Sequence, residues 1–297
     1  MSATGSCWIF RAARHICSMK RILTVQDISC IGKCSLSVAL PIISAMGIEC
    51  AVLPTAVLST HTAFSGFTFR DLTQDIPSIS AHWQKLGMTF DALYTGYIAS
   101  IGQLRLVREL LLQYGTQSNL IIVDPVMADN GRMYAGFTPE FAMAMAGLCA
   151  HADIIMPNLT EACLLLGLPY PGDTYSEDFI RGALIRLAEL GSKTVILKGI
   201  ATRAEELGVM SYTAASGTFM SYFHRRLPGK FHGTGDIFAS CVAGAQTAGL
   251  SIEESVRLAA DFTLDCIEAT IADTRSNWYG VQFESALPQL IRRYARR

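Results

Sequence analysis

The sequence has little net charge, few charged residues and no long uncharged apolar run. Charged residues make up 16% of the 297, and the formal net charge is −1. No global field therefore favours nucleic acid or an anionic membrane surface. None of the apolar runs reaches the roughly 18 to 20 uncharged residues that a membrane span requires. We expect neither nucleic acid nor a membrane as partner, but small molecules or a second copy of the chain.

The spacing that zinc sites need is also missing. The nine cysteines are scattered, with no C-x-x-C pair and no His/Cys cluster. Their odd number and their apolar surroundings predict reduced, buried thiols in a cytosolic protein. We therefore expect a cytoplasmic location.

The N-terminus differs in composition from the rest. The first 19 residues include Arg11, Arg14 and His15 but no acidic residue, which is typical of a transit peptide. The other interpretation starts from Met19, which runs directly into a strand pattern. We favour the second: residues 1–18 are a leader or reflect a misplaced start, and residues 19–297 form one domain.

From residue 20 onward, short β-rich runs alternate with longer helical patterns, as in βαβ units. The predicted strands are 22–27, 49–57, 91–97, 120–125, 152–158 and 193–199. The predicted helices are 33–46, 76–87, 101–115, 138–150, 158–167 and 176–191, and then 234–249, 251–272 and 283–295. Between residues 206 and 226 the pattern predicts an antiparallel strand pair. Most strands are continuous apolar runs, which indicates helices on both faces. The predicted fold class is α/β, a three-layer α/β/α sandwich with a mostly parallel, doubly wound sheet.

Polar side chains follow or end the predicted strands. They are Asp27, Thr55, Tyr97, Asp124, Asn158 and Lys198. Ligands of open parallel sheets bind beyond the carboxyl ends of the strands. We therefore expect these side chains to converge on one crevice.

The motif Gly233-Thr234-Gly235-Asp236 opens the helix predicted at 234–249. Unpaired N–H groups and partial positive charge at a helix N-terminus attract an anion, and glycines let it approach closely. A carboxylate there would repel phosphate, but it suits a base that deprotonates a hydroxyl as that oxygen attacks phosphorus. The alternative is a helix cap and a tight turn without chemistry. The helix that follows consists almost entirely of small or apolar residues, which predicts that it is buried with its N-terminus at the crevice.

The stretch KFHGTGDIFAS resembles the anion-hole signature of the ribokinase superfamily. Further stretches resemble its vitamin B6 kinase branch, and together they cover about residues 19 to 285. They are RILTVQDIS, GKCSLSVALPIISAMGIE, PTAVLSTHT, LYTGYIAS, VDPVMADNGRMY and ADIIMPNLTEACLLLG. The resemblance implies a ribokinase-like fold and an ATP-dependent kinase that phosphorylates the 5′-hydroxymethyl group of pyridoxal, pyridoxine or pyridoxamine.

The resemblance also implies roles for individual residues. Asp236 would be the catalytic base, with Gly233, Thr234 and Gly235 as the anion hole. The ATP side would contain Asp124, Asn158, Glu161 and Lys198, with Asp124 and Glu161 near Mg²⁺. The vitamin side would contain Asp27, Thr55, His61 and Tyr97, and a flap at 128–136 would contribute Asp129 and Tyr134. The co-substrate would be ATP with Mg²⁺, a monovalent cation such as K⁺ is a family expectation, and a homodimer is implied.

Several of these residues have a structural alternative. Asp124 can end a strand before Pro125, Glu161 can belong to a capping box begun at Asn158, and His61 can be a satisfied structural histidine. Lys198 can be a solvent-exposed residue at the end of its strand, and the flap can be a plain surface loop.

Two residues depart from the B6 kinase pattern. Asp27 and Lys198 resemble the residues that hydroxymethylpyrimidine kinases of thiamin synthesis carry there. A hydroxymethylpyrimidine or hydroxymethylpyrimidine-phosphate kinase is therefore the alternative function. A non-catalytic protein that binds B6 vitamers is a second alternative, against which the intact Gly233–Asp236 motif argues.

Overall fold

The computed structural model describes residues 19–116, 118–172 and 174–296; the predicted leader lies outside them. The strands are β1 Arg21–Ser29, β2 Glu49–Leu58, β3 Phe69–Asp71, β4 Ala92–Thr95, β5 Leu120–Val123, β6 Ala128–Asp129, β7 Arg132–Met133, β8 Ile154–Ile155, β9 Thr194–Ile200, β10 Glu206–Thr213 and β11 Thr218–Arg225. The helices are α1 Leu36–Ala45, α2 Ile76–Lys85, α3 Ile101–Tyr114, α4 Pro139–Cys149, α5 Leu159–Leu166, α6 Glu177–Ala188, α7 Thr234–Ala248, α8 Ile252–Ala272 and α9 Phe283–Tyr294.

Nine strands form one sheet in the order β11-β10-β9-β8-β5-β4-β1-β2-β3. The strands from β9 to β2 in this order are parallel. Antiparallel strands complete both edges, β10 and β11 at one and β3 at the other. The predicted parallel sheet and the antiparallel pair after residue 200 are confirmed. Strand β3 and the small β6–β7 hairpin are additions that the sequence analysis did not predict.

Helices cover both faces of the sheet. One buried cluster combines residues of α2 to α6 with strand residues such as Leu23 and Val25. The other combines residues of α1, α7, α8 and α9 with strand residues such as Ile22. Neighbouring residues of β1 thus enter opposite cores, as the pleat of a strand requires. Burial on both faces explains the continuous apolar runs and confirms the three-layer sandwich.

The cysteines only partly follow the prediction. Cys149, Cys163, Cys241 and Cys266 are buried, whereas Cys34 and Cys50 are half-buried and Cys30 is exposed. The prediction of buried thiols is therefore wrong for Cys30, because it lies just beyond β1, where the chain turns toward the surface. None of the helices that the structure describes is long and apolar enough to cross a membrane.

Candidate active site

Helix α7 begins at the glycine turn that the sequence analysis singled out. Gly233 is its N-cap with φ at 84°, and its carbonyl accepts the N–H of Ile237 at 3.0 Å. A β-carbon on Gly233 would overlap the carbonyl oxygen of Lys33, so conformation and space both require glycine. Thr234, Gly235 and Asp236 form the first turn, where backbone N–H groups lack partners within a helix. These amides are available to an anion.

A cleft of about 330 Å³ opens in front of this turn. Ten of the residues proposed from the sequence line it: Asp124, Asp129, Tyr134, Asn158, Glu161, Lys198, Gly233, Thr234, Gly235 and Asp236. Asp27, Thr55, His61 and Tyr97 are not among its lining residues. The fold therefore groups the proposed phosphate and nucleotide residues and leaves the proposed vitamin residues to the side.

Lys198 lies in the cleft as half of a buried ion pair. It belongs to β9, and its Nζ lies 2.7 and 2.6 Å from the two carboxylate oxygens of Asp124. Exposure of the two side chains is 12% and 1%, so Lys198 is not the solvent-exposed residue that the sequence left open. Burial disfavours its charge, but the carboxylates of Asp124 and Glu161 outweigh this and raise the pKa of Lys198. The pair brings a cation to the anion hole.

Glu161 combines both interpretations that the sequence allowed. One carboxylate oxygen accepts the N–H of Asn158 at 2.8 Å, and the Asn158 side chain accepts the N–H of Glu161 at 2.9 Å, which completes a capping box at α5. The other oxygen accepts the N–H of Met127 at 3.1 Å. Burial, opposed by Lys198 and reinforced by Asp124, raises the pKa of Glu161 to about 8. The residue thus caps a helix and also lines the cleft.

Asp236 lines the cleft together with other carboxylates. Burial, together with the negative charge of Asp124, raises the pKa of Asp236 to about 7, although Lys198 and a hydrogen bond from the Ser35 backbone oppose the shift. A carboxyl with a pKa near neutrality is suited to accept a proton, because about half of it is deprotonated at neutral pH and that form is a stronger base than an ordinary carboxylate. Perturbed carboxyls of this kind cluster at functional sites.

Asp124 and Glu161 are the carboxylates proposed to lie near Mg²⁺. Across the described residues, no group of three or more His, Cys, Asp and Glu side chains is arranged to hold a metal ion. The oxygens of Asp124 already meet Lys198, and those of Glu161 already accept backbone N–H groups. Each carboxylate oxygen keeps a second lone pair, and Mg²⁺ usually retains several waters beside substrate phosphates. Asp124 and Glu161 therefore fit a Mg²⁺ held largely by nucleotide and water, not a cage of protein ligands.

Asp27 lies at a bulge near the end of β1, where the register with β2 shifts between Gln26 and Ile28. Bulges redirect side chains and are common beside active sites. The Asp27 side chain accepts from Ser29 at 3.2 Å, and its burial raises its pKa. Its negative charge raises the pKa values of Asp236 and of Tyr97, after the larger effect of burial. Asp27 thus connects the base to the proposed vitamin side.

Cys34, which the sequence analysis did not propose, joins this group. Burial, followed by the charges of Asp236 and Asp27, raises the pKa of the Cys34 thiol to about 12. A thiol with such a pKa stays protonated and does not act as a nucleophile at neutral pH.

The His61 ring is hydrogen-bonded within the protein, whereas the Thr55 hydroxyl is not. His61 accepts the N–H of Ala63 at Nδ1, and its Nε2 lies 2.9 Å from the Tyr279 carbonyl oxygen. Both ring nitrogens are engaged within the protein, as the structural alternative expects; a place for His61 on the vitamin side stays a prediction. Thr55 is fully buried in β2, and its hydroxyl has no hydrogen-bond partner in the described chain.

The flap proposed at 128–136 is a β-hairpin formed by β6 and β7. Its turn residues Asn130 and Gly131 have φ of 49° and 74°, as two-residue hairpin turns require; the Asn-Gly pair is the signal that could have predicted it. Gly131 N–H donates to the Thr160 hydroxyl at 2.9 Å, and the Asn158 amide donates to the Ala128 carbonyl at 2.8 Å. The start of α5 therefore anchors this hairpin, while Tyr134, which is 42% exposed, follows it at the cleft.

The rest of the cleft wall was missed by sequence analysis, and apart from His224, His232 and Thr263 it is largely apolar. It includes Val126, Leu207, Val209, Phe238, Ala260 and Ile267. These residues come from four separate segments, and each looks in sequence like any other buried position. Only the folded chain brings them together beside Lys198 and the anion hole.

Comparison with known proteins agrees with this geometry. The family model described as phosphomethylpyrimidine kinase matches residues 40–278. A structure from Bacteroides thetaiotaomicron VPI-5482, described as that kinase and crystallised with pyridoxal, is 36% identical with a TM-score of 0.88, and the match covers 92% of this chain and 96% of that one. Pyridoxal kinase from Lactobacillus plantarum is 32% identical with a TM-score of 0.85, over 93% of this chain and 98% of that one.

A rice (Oryza sativa subsp. japonica) protein, described as a chloroplastic thiamine biosynthetic bifunctional enzyme, is 26% identical over 81% of this chain. The match spans only 43% of that relative's length.

The solved structures confirm the ribokinase-like α/β fold. Kinase relatives of both the pyrimidine and the pyridoxal type match over most of this chain. The chain therefore belongs to the phosphomethylpyrimidine kinase family.

Proposed function

We propose that this kinase transfers the γ-phosphoryl group of ATP to the 5′-hydroxymethyl group of pyridoxal, pyridoxine or pyridoxamine. The observation that carries the proposal is the grouping of Asp236, the amides of the glycine turn and Lys198 around one cleft. A carboxylate base and an adjacent anion site are what phosphoryl transfer to a hydroxyl requires. A protein that only binds the vitamin needs no such base.

Each group has a separate role in phosphoryl transfer. Asp236 takes the proton of the attacking hydroxyl, which is favoured because its pKa is raised to about 7 by burial and by Asp124. The N–H groups of the turn from Gly233 to Gly235 stabilise the charge of the transferring phosphoryl group. When bound, Mg²⁺ neutralises charge on the ATP phosphates, and Asp124 and Glu161 would hold its water shell.

Lys198 supplies the positive charge on the protein side. In the structure its ammonium is bound by Asp124, and it lies close to the anion hole, 3.8 Å from the position that a β-carbon on Gly235 would occupy. A phosphate bound at the turn would therefore lie close to the Lys198 ammonium, which Asp124 already holds in place. The apolar wall with Val209, Phe238 and Ile267 offers non-polar surface of the kind that nucleotide-sized ligands bury.

Two features support a B6 vitamer as the acceptor. The Bacteroides relative was crystallised with pyridoxal, and the Lactobacillus relative is a pyridoxal kinase. A competing proposal, a hydroxymethylpyrimidine or hydroxymethylpyrimidine-phosphate kinase, is supported by the matching family model and by Asp27. Burial raises the pKa of that carboxyl, and its oxygens can hydrogen-bond polar groups of either heterocycle.

The test is a substrate panel with Mg-ATP. Pyridoxal, pyridoxine, pyridoxamine, hydroxymethylpyrimidine and its phosphate are compared by kcat/KM, because specificity is the ratio of those values. We expect the highest kcat/KM with a B6 vitamer, with the product identified as the 5′-phosphate by mass spectrometry. A higher value with either pyrimidine overturns the vitamin assignment. If the wild type forms no more phosphorylated product than Asp236→Asn with any of these acceptors, the kinase proposal for them is overturned.

We also propose a homodimer, on the strength of the resemblance. Light scattering at assay concentration should give about twice the chain mass of 32.3 kDa. A mass of one chain under those conditions contradicts this proposal.

A further inference from the structure

Behind the anion hole, one lysine connects three distant parts of the chain. Lys33 lies in the loop between β1 and α1, and its side chain is only 12% exposed. Its ammonium donates to the Gln282 side chain at 3.1 Å and to the Glu284 carboxylate at 2.7 Å. The ammonium also lies 5.7 Å from the centre of the Phe283 ring, within the range of a cation–π contact. The start of α9 therefore holds this side chain at its tip.

The stem and the backbone of Lys33 are held as well. A β-carbon on Gly280 would lie 2.5 Å from the Cβ and 2.9 Å from the Cγ of Lys33, so Gly280 packs directly against the stem. On the other side, the Lys33 carbonyl oxygen touches Gly233, the first residue of the anion hole. Lys33 is thus packed between Gly280 and Gly233.

The same two segments also reach the base and the vitamin side. The backbone of Ser35, two residues beyond Lys33, lies close enough to the carboxylate of Asp236 to lower its pKa. Ser35 has a φ of 51°, unusual for a residue other than glycine. The carbonyl of Tyr279, next to Gly280, binds His61. The residues 279–284, which we call the clamp segment, therefore contact both the loop that holds Lys33 and the loop that holds His61.

We propose that Lys33 is a positioning residue, through which the clamp segment fixes the glycine turn and Asp236 in their reactive arrangement. Lys33 is expected to touch neither the nucleotide nor the vitamin. Its ammonium is already bound by Gln282 and Glu284, and it does not line the cleft. Loss of the ammonium releases the tip of the stem and lets the loop that supports Gly233 move. Displacement of a reacting group by about 1 Å can lower the rate about 100-fold.

The proposal rests on the proposed function for its kinetic readout, but it also makes a prediction that needs no substrate. Lys33→Met keeps the stem against Gly280 and removes the charge. We expect faster backbone hydrogen exchange in a peptide covering residues 229–236. We expect kcat to fall about 10- to 100-fold with KM for ATP and vitamin within about twofold, because the anion hole acts on the transition state.

Two further variants keep the test decisive. Glu284→Gln changes a carboxylate that is 53% exposed, so it should fold even if Lys33→Met does not, and it should change exchange and kcat in the same direction but less. Lys20→Met is the control, because Lys20 forms an exposed ion pair with Asp91 at the amino end of β1. We expect wild-type exchange at 229–236 and wild-type kcat from it.

Unchanged exchange at 229–236 in folded Lys33→Met overturns the proposal, as does a wild-type kcat. If Lys33→Met does not fold, Glu284→Gln decides by the same criteria. A purely structural role predicts a lower melting temperature without a selective change at 229–236. Absence of phosphotransfer in the wild-type protein would count against the proposed function alone, because hydrogen exchange is measured without substrate.

Discussion

Replacing Asp236 by asparagine should abolish turnover and stabilise the protein. The pKa of Asp236 rises from its usual value near 3.8 to about 7 in the folded chain, mainly through burial and then through Asp124. Each unit of pKa corresponds to about 1.4 kcal/mol, so ionising this carboxyl costs the folded state about 4 kcal/mol relative to the unfolded one. Water that reaches the cleft reduces this to about 2 to 4 kcal/mol. Asparagine carries no charge and avoids the cost.

The stabilisation should depend on pH in a defined direction. Below about pH 4 the carboxyl is protonated in both states, so Asp236 and asparagine differ little. As the pH rises from about 4 to about 7, the unfolded carboxyl is ionised while the folded one still binds its proton, so the wild type loses stability progressively. Above about pH 7 the difference is constant. The gain of Asp236→Asn should therefore be small at pH 4.5 and full at pH 8.

Urea unfolding at these two pH values measures the gain, and a coupled assay for ADP measures turnover. We expect kcat at pH 8 to fall at least about 1,000-fold, consistent with loss of a general base and its charge. Asp178→Asn is the matched control, because Asp178 also lies in the first turn of a helix, α6, but is exposed and outside the cleft. Retained activity in Asp236→Asn would refute its role as base. A variant no more stable than wild type at pH 8 would refute the electrostatic reasoning.

Three further substitutions test other parts of the structure. Gly233→Ala should lower kcat at least about 100-fold, because its methyl group would overlap the Lys33 carbonyl; steady-state kinetics measures this, and wild-type kcat would contradict it. Lys198→Met should raise KM for ATP and destabilise the fold by about 3 kcal/mol, since it leaves Asp124 buried without its partner; unchanged thermal unfolding and KM would argue against the pair. Tyr222→Phe removes a 2.6 Å hydrogen bond to Asp261 between β11 and α8, so urea unfolding should show a loss of about 1 to 2 kcal/mol while kcat stays normal. A lower kcat for Tyr222→Phe would show that this network reaches the active site.

Local patterns in the sequence predicted most of the secondary structure. The strands at 22–27 and 193–199 and the helix at 234–249 correspond to β1, β9 and α7 within one or two residues at most ends. These elements are long or strongly apolar, and hydrophobic periodicity reports such elements well. The prediction at 152–158 was less accurate, because only Ile154–Ile155 makes regular strand pairs. The β6–β7 hairpin and β3 were missed since each has only two or three residues.

The sequence by itself determined the α/β class, the glycine turn with its carboxylate, and the chemistry that such a turn can perform. These depend on neighbours in the chain, whose conformations and capping follow from local residue types. Only the tertiary structure decided that Lys198 pairs with Asp124, that His61 uses both ring nitrogens within the protein, and that Lys33 supports Gly233 from behind. Each of these contacts joins residues far apart in sequence. The burial of each side chain and the partner that it contacts together set its charge and its geometry. Neither the burial nor the partner exists before the chain folds.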